Sequence, residues 1–145
     1  MPEEEMIAQA YIFVPMLAVV VLTFVAFIGM AAARGKAAKE VEPGFYKAHI
    51  GAGEPEYAKA KVRHFNIMFE LPVLFYAACI TAFVLAEVGP WTVRFAWAFV
   101  AFRVVQSVIH LTYNNPAHRG IAFVLSMLAM IALWVNVGMA IFASI

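Results

Sequence analysis

The sequence predicts an all-α membrane protein, a bundle of four transmembrane helices, from its composition and the length of its apolar runs. Hydrophobic residues make up 65% of the 145-residue chain and charged residues 13%, whereas a soluble domain has roughly 45–50% and 25%. A soluble core of this size cannot bury so much apolar surface. The formal net charge of +1 gives no reason to expect a nucleic-acid partner.

Four segments are long enough to cross a bilayer, which takes about 20 helical residues. The predicted helices span residues 8–33, 62–86, 91–113 and 119–143, and residues 1–145 form a single membrane domain. The runs show no polar alternation, so they are predicted as helices rather than strands of a membrane barrel. The first helix follows three glutamates instead of the basic residues of a signal peptide, so we expect it to remain in the protein.

The segment at about residues 34–61 is predicted to be a loop because it contains several glycines and prolines, which break helices. It is also the most basic part of the sequence. Its basic residues are Arg34, Lys36, Lys39, Lys47, Lys59 and Lys61. The positive-inside rule places this loop, together with the turn before Arg119, in the cytoplasm and both termini outside.

Polar residues form a stripe along each of the two central helices. On the second helix, Arg63, Asn66 and Glu70 are spaced i, i+3 and i+7, which puts them on one helix face. The same rule groups a larger set on the third helix. That set comprises Arg103, Gln106, Ser107, His110, Tyr113 and Asn114.

An antiparallel arrangement of these two helices predicts that the stripes face each other. Glu70 then contacts Arg103, and in the same register Asn66 faces Ser107 and Arg63 faces His110. A lone charge inside a membrane costs at least about 2.5–3.5 kcal/mol on insertion scales, and pairing removes much of that cost. The charge pair either fixes the helix register or serves a functional site.

Two prolines are predicted to distort the helices that contain them. Pro72 should bend the second helix beside Glu70 and free the carbonyl of Met68, since proline has no N–H and its ring clashes one turn back. Pro15 should kink the first helix for the same reason.

Several basic and hydrogen-bonding residues fall at the cytoplasmic ends of the helices and form a polar rim above an apolar interior. They are Arg63, His64, Asn66, His110, Tyr113, Asn114, His118 and Arg119. Arg119 lies at the start of the fourth helix, where free N–H groups also favour an anion. The rim therefore suits a polar anion beside a lipophilic partner in the bilayer, or, in the simpler interpretation, lipid head groups. The four histidines lack the spacing of a helical metal site, so no metal is predicted.

The stretches FELPVLFYAACITAF and FRVVQSVIHLTYNNPAHRGIAF resemble the MAPEG superfamily, the membrane-associated proteins in eicosanoid and glutathione metabolism, and its bacterial-type members in particular. The resemblance implies a homotrimer of four-helix subunits in the bacterial inner membrane, with glutathione as co-substrate bound between subunits. Its implied glutathione site consists of Arg34, Arg63, Asn66, Glu70, Arg103, His110 and, on the rim, Tyr113. Arg119 matches the arginine that holds the glutathione thiolate and would be catalytic.

The implied activity is a glutathione-dependent transferase or peroxidase acting on lipophilic electrophiles presented by the membrane. The sequence departs from the family pattern at several positions. Asn66 and Glu70 are four residues apart where three is usual, and Gly120 and Phe123 replace hydroxyl-bearing residues. The alternative is therefore a non-catalytic member of the same fold, either an accessory subunit of a larger membrane complex or a lipid-binding protein.

Overall fold

A computed structural model describes residues 3–48 and 53–145. Six helices occur in this part of the chain. They are α1 (Glu3–Ala10), α2 (Phe13–Ala37), α3 (Phe45–Ala48), α4 (Glu56–Val84), α5 (Pro90–Leu111) and α6 (Pro116–Ala143). Four segments are long and apolar enough to span a membrane, namely Ala8–Ala37, Glu56–Val84, Pro90–Leu111 and Pro116–Ala143. The predicted fold class, an all-α membrane bundle of four helices, is confirmed.

The connection between the first two spans is shorter than the expected loop at 34–61. Helix α2 continues to Ala37, because an exposed glycine such as Gly35 lowers helix stability by only about 1 kcal/mol. Helix α4 begins at Glu56 instead of near residue 62, directly after Pro55, whose backbone is extended. The alanines, lysines and glutamate that follow Pro55 favour a helix. Residues 49–52 of the connection lie outside the described residues.

The kink predicted at Pro15 is a break between α1 and α2. Pro15 lies in the first turn of α2, and its ring clashes with the carbonyl four residues earlier, that of Tyr11. Around that point the backbone makes tighter i to i+3 hydrogen bonds, from Tyr11 N to Ala8 O (3.3 Å) and from Val14 N to Tyr11 O (3.1 Å). The first span therefore crosses the membrane in two helical pieces.

The bundle has a dry core and an apolar outer surface. Helix α5 packs most extensively against α6, and α2 against α4. At the centre, the rings of Phe75 and Phe99 stack with their centroids 4.4 Å apart and are fully buried. Large apolar side chains also point outward, such as Leu17, Ile28 and Val84. A surface of this kind is stable against lipid tails and unfavourable in water.

Candidate functional site

Arg103 forms the centre of a polar cluster inside the subunit. Its side chain is fully buried. Its Nη1 donates to Oε1 of Gln106 at 2.6 Å, and its Nη2 donates to the carbonyl oxygen of Ile67 at 2.7 Å. Gln106, Ser107 and His110 are buried on the same face of α5. The polar face predicted for the third helix therefore points into the bundle, as far as His110.

The predicted pairing across the two stripes is wrong. Glu70 is exposed and forms no ion pair with Arg103, whose hydrogen bonds go to Gln106 and the α4 backbone. Arg63 and Asn66 are also exposed. In this part of α4 the side chain packed against His110 of α5 is instead that of His64, and the two ring centroids lie 4.8 Å apart.

The prediction failed because it turned the wrong face of α4 toward α5. The spacing of Arg63, Asn66 and Glu70 shows that they share a face, but it does not show which neighbour that face meets. At 3.6 residues per turn, their face lies about 150° around α4 from its buried side, which includes His64 and Met68. His110 contacts the backbone at one ring nitrogen, with its Nε2 3.1 Å from the carbonyl oxygen of Ala60.

The α4 carbonyl that accepts a hydrogen bond from Arg103 lies one residue before Met68, whose carbonyl was predicted to be freed by Pro72. Pro72 lies inside α4 and cannot donate to Met68. The acceptor of the Arg103 hydrogen bond is nevertheless Ile67, whose carbonyl has a second lone pair beyond the one used in the helix. The Arg103 hydrogen bond therefore does not use the carbonyl that Pro72 was predicted to free.

Within the described residues, three buried polar atoms lack a hydrogen-bond partner. They are Nε of Arg103, Oγ of Ser107 and Nδ1 of His110. Their residues are spaced i, i+4 and i+7 along α5, so they lie on one side of the helix. Buried polar atoms are normally paired with protein or ordered water. This side of α5 is therefore available for hydrogen bonds to water or to a ligand.

The stripe formed by Arg63, Asn66 and Glu70 lies on the outer surface of the subunit. Glu70 is near the middle of a membrane-spanning helix and is exposed there. A charge facing lipid at that depth is unfavourable by at least about 2.5–3.5 kcal/mol. Within the described residues, no hydrogen bond or ion pair is made by the side chains of this stripe.

The turn between α5 and α6 holds the rim residues in fixed contacts. Nη1 of Arg119 donates to Oδ1 of Asn114 at 2.7 Å. Oη of Tyr113 lies 3.0 Å from Nδ1 of His118, although Tyr113 is 60% exposed. Oδ1 of Asn115 accepts the N–H groups of residues 117 and 118 and caps α6. Arg119 therefore lies half-buried in the first turn of α6, and its side chain is hydrogen-bonded to Asn114.

Arg34 is already paired within the subunit. Its Nε lies 3.3 Å from Oε1 of Glu54, and the same oxygen accepts a hydrogen bond from Oη of Tyr46 at 2.9 Å. The side chain of Glu54 is almost fully buried. Burial and the carboxylate raise the pKa of the Tyr46 hydroxyl above its usual value, so it stays protonated and donates. A ligand carboxylate at Arg34 would have to compete with Glu54.

An apolar groove runs between α2 and α4 on the membrane-facing surface. Its volume is about 410 Å³. Its walls are aromatic and aliphatic, with Phe24 and Phe27 from α2 and Phe65, Phe69 and Tyr76 from α4. Phe65 and Phe69 immediately precede Asn66 and Glu70 in sequence, so the groove borders the polar stripe.

The structure separates the predicted site residues into three groups. Arg63, Asn66 and Glu70 share the outer face of α4, and Arg103 and His110 lie in the interior behind them. Arg34, Tyr113 and Arg119 lie at the basic end of the bundle. Sequence reasoning missed His64 and Glu54 as partners in these groups. A buried position for His64 was readable from its i+4 and i+8 neighbours Met68 and Pro72, whereas nothing in the sequence around Glu54 indicated its contact with Arg34.

Comparison with family models gives a match over most of the chain. The model described as MAPEG family matches residues 12–139, which include every candidate site residue. Comparison with curated proteins and with solved structures gave no match.

Proposed function

The chain belongs to the MAPEG family of membrane proteins, and from this premise we propose that it is a glutathione-dependent transferase or peroxidase acting on lipophilic electrophiles. The observation that carries the proposal is the exposed stripe of Arg63, Asn66 and Glu70 at membrane depth. A cation, an amide and an anion in a row match a tripeptide with carboxylates, peptide groups and an ammonium. The stripe thus fits glutathione better than it fits lipid tails.

A homotrimer supplies the cover that the stripe needs. If the outer face of α4 lies against a second copy of the chain, Glu70 leaves the lipid and the stripe becomes one wall of a cleft between subunits. In that cleft Arg63 pairs with a glutathione carboxylate and Glu70 with its ammonium. Arg103 and His110 support the wall from behind, where their unpartnered atoms accept or donate through ordered water or to the ligand.

Arg119 activates the thiol in this proposal. A guanidinium close to the sulfur favours the thiolate, which is the reactive nucleophile. Only one of its N–H groups is used by Asn114, so others remain for the sulfur. The thiolate attacks an electrophilic carbon and forms a C–S bond while a leaving group departs or, in addition to an activated double bond, while the neighbouring carbon takes up a proton. With a hydroperoxide it attacks the terminal oxygen and breaks the O–O bond, which releases the alcohol and leaves glutathione sulfenic acid. A second glutathione then converts the sulfenic acid into glutathione disulfide and water. The groove between α2 and α4 offers room for the lipophilic substrate.

The rim faces the cytoplasm in this arrangement, and both termini face the periplasm of a bacterial inner membrane. The basic residues that support this orientation lie at the end of α2, the start of α4 and the start of α6. Arg34 and Tyr113 lie at the same end. Glutathione from the cytoplasm would therefore reach the site without crossing the membrane.

Titration calorimetry of glutathione into the detergent-purified protein tests the proposal. We expect binding in the micromolar-to-millimolar range, weakened at least tenfold in Glu70→Gln because the ligand ammonium loses its counter-charge. Glu87→Gln is the matched control, since Glu87 lies in the turn at the opposite end of the bundle. No heat with folded wild-type protein overturns the proposal.

A second candidate is a lipid-binding or accessory member of the family without activity. It is favoured by the pairing of Arg34 with Glu54, which occupies one proposed ligand contact, and by Gly120 and Phe123 in place of hydroxyl-bearing residues. In that case the stripe binds a second protein within a larger membrane complex. Absence of thiol-dependent turnover together with copurification of a stable larger complex supports this candidate over the first.

A further inference from the structure

Asn114, in the turn that follows α5, adopts a conformation that few side chains tolerate. Asn114 has φ +47°, in the left-handed region that asparagine occupies more readily than most residues. Its backbone N–H donates to the carbonyl of Ile109 at 2.7 Å, which closes the end of the helix. This bond fixes the direction in which the Asn114 side chain leaves the turn.

That side chain points to the guanidinium of Arg119. Oδ1 of Asn114 accepts a hydrogen bond from Nη1 of Arg119 at 2.7 Å. Residues 115–118, which form the cap and the first turn of α6, separate the two in sequence. The neighbouring pair, Tyr113 and His118, has the same sequence separation and a 3.0 Å contact. Two parallel side-chain contacts therefore span one tight turn. The contact with Asn114 restricts the rotamers of Arg119, a long side chain that would otherwise lose substantial conformational entropy on binding a ligand.

We propose that Asn114 is a positioning residue that aims the guanidinium of Arg119 at the glutathione sulfur. The inference rests on the proposed function, since it assumes that Arg119 faces the thiol. The chemistry of the acceptor supports it. An amide oxygen orients the guanidinium by a hydrogen bond and leaves its positive charge intact, whereas a carboxylate at the same place would neutralise much of that charge.

Two substitutions of Asn114 distinguish the orientation of the Arg119 guanidinium from the charge beside it. Asn114→Gly keeps the left-handed turn, because glycine adopts positive φ without strain, and removes the acceptor. Asn114→Asp keeps the acceptor and adds a negative charge. Thr112→Val is the matched control, because the Thr112 hydroxyl bonds only to the Val108 carbonyl of its own helix.

The measurement is a pH titration of the ultraviolet absorbance of glutathione thiolate bound to the detergent-purified full-length protein. We expect the midpoint to rise by about one pH unit in Asn114→Gly, a tenfold loss of thiolate at a given pH below it, because a misaligned cation stabilises the thiolate less. Asn114→Asp is expected to raise it at least as far. Thr112→Val should match the wild type.

The outcomes distinguish this inference from the function on which it rests. A wild-type midpoint at the value of free glutathione overturns the proposed function and the inference with it. A lowered wild-type midpoint that is unchanged in a folded Asn114→Gly protein overturns the inference alone. If Asn114→Gly fails to fold, Asn114→Asp decides, and an unchanged midpoint there shows that the pair does not face the sulfur.

Discussion

Replacement of Arg119 by leucine is expected to lower glutathione-dependent turnover by about 10²–10³-fold, the cost typical of removing one preorganised group that stabilises negative charge in a reaction. Leucine preserves the apolar stem and removes the guanidinium that the structure places at the start of α6, hydrogen-bonded to Asn114. The loss should fall mainly on kcat, since the stripe on α4 would still bind the peptide. Turnover is measured with a lipophilic electrophile at saturating glutathione.

Arg94→Leu provides the control for this substitution. Arg94 lies at the opposite end of α5, with its guanidinium 4.8 Å from the ring centroid of Trp91. Its loss should leave turnover within about twofold of wild type. Equal turnover of Arg119→Leu and wild type would contradict the assignment of Arg119 to the thiolate.

The second large effect is expected at the buried cluster around Arg103. Arg103→Met should destabilise the protein by about 1–3 kcal/mol, because Oε1 of Gln106 loses its donor inside the bundle and the Ile67 carbonyl loses a partner. The double variant Arg103→Met/Gln106→Leu removes both members of the side-chain pair and should recover most of that loss. Thermal unfolding in detergent measures the stability of the wild type, Arg103→Met and the double variant.

The stability and the glutathione binding of the double variant distinguish two roles of Arg103. If Arg103 only fixes the bundle, the double variant is nearly as stable as wild type and still binds glutathione. If Arg103 also supports the ligand site, the double variant folds but binds glutathione more weakly, as the proposed function requires. A double variant that is less stable than Arg103→Met would show that the pair is not the main interaction of Arg103.

The fold was predictable from the sequence because membrane helices follow from length and composition alone. The buried face of α5 was also predictable, since the polar residues in its second half, Arg103, Gln106, Ser107 and His110, share one side of the helix. Helix α4 differs because it has polar residues on two faces. His64 faces α5, whereas Arg63 and Glu70 face outward. The apolar neighbours of His64 at i+4 and i+8 indicated its buried side, but the charges of Arg63 and Glu70 were given more weight in predicting which face meets α5.

The outward stripe could not be interpreted from one chain for a physical reason. The rule that membrane charges pair within one chain paired Glu70 with Arg103, but the structure gives Arg103 other partners, Gln106 and the Ile67 carbonyl. The ion pair between Arg34 and Glu54 was equally hidden, because it depends on how the segment between α2 and α4 folds back. Contacts of this kind follow from tertiary structure and leave no periodic pattern.

Native mass spectrometry of the detergent-solubilised protein with glutathione tests directly whether the α4 stripe lies between subunits and binds the tripeptide. The account predicts a trimer that carries glutathione, and it predicts that Glu70→Lys loses the bound ligand and releases monomers. A wild-type protein that remains monomeric across mild detergents, or a trimer that never carries glutathione, would contradict it.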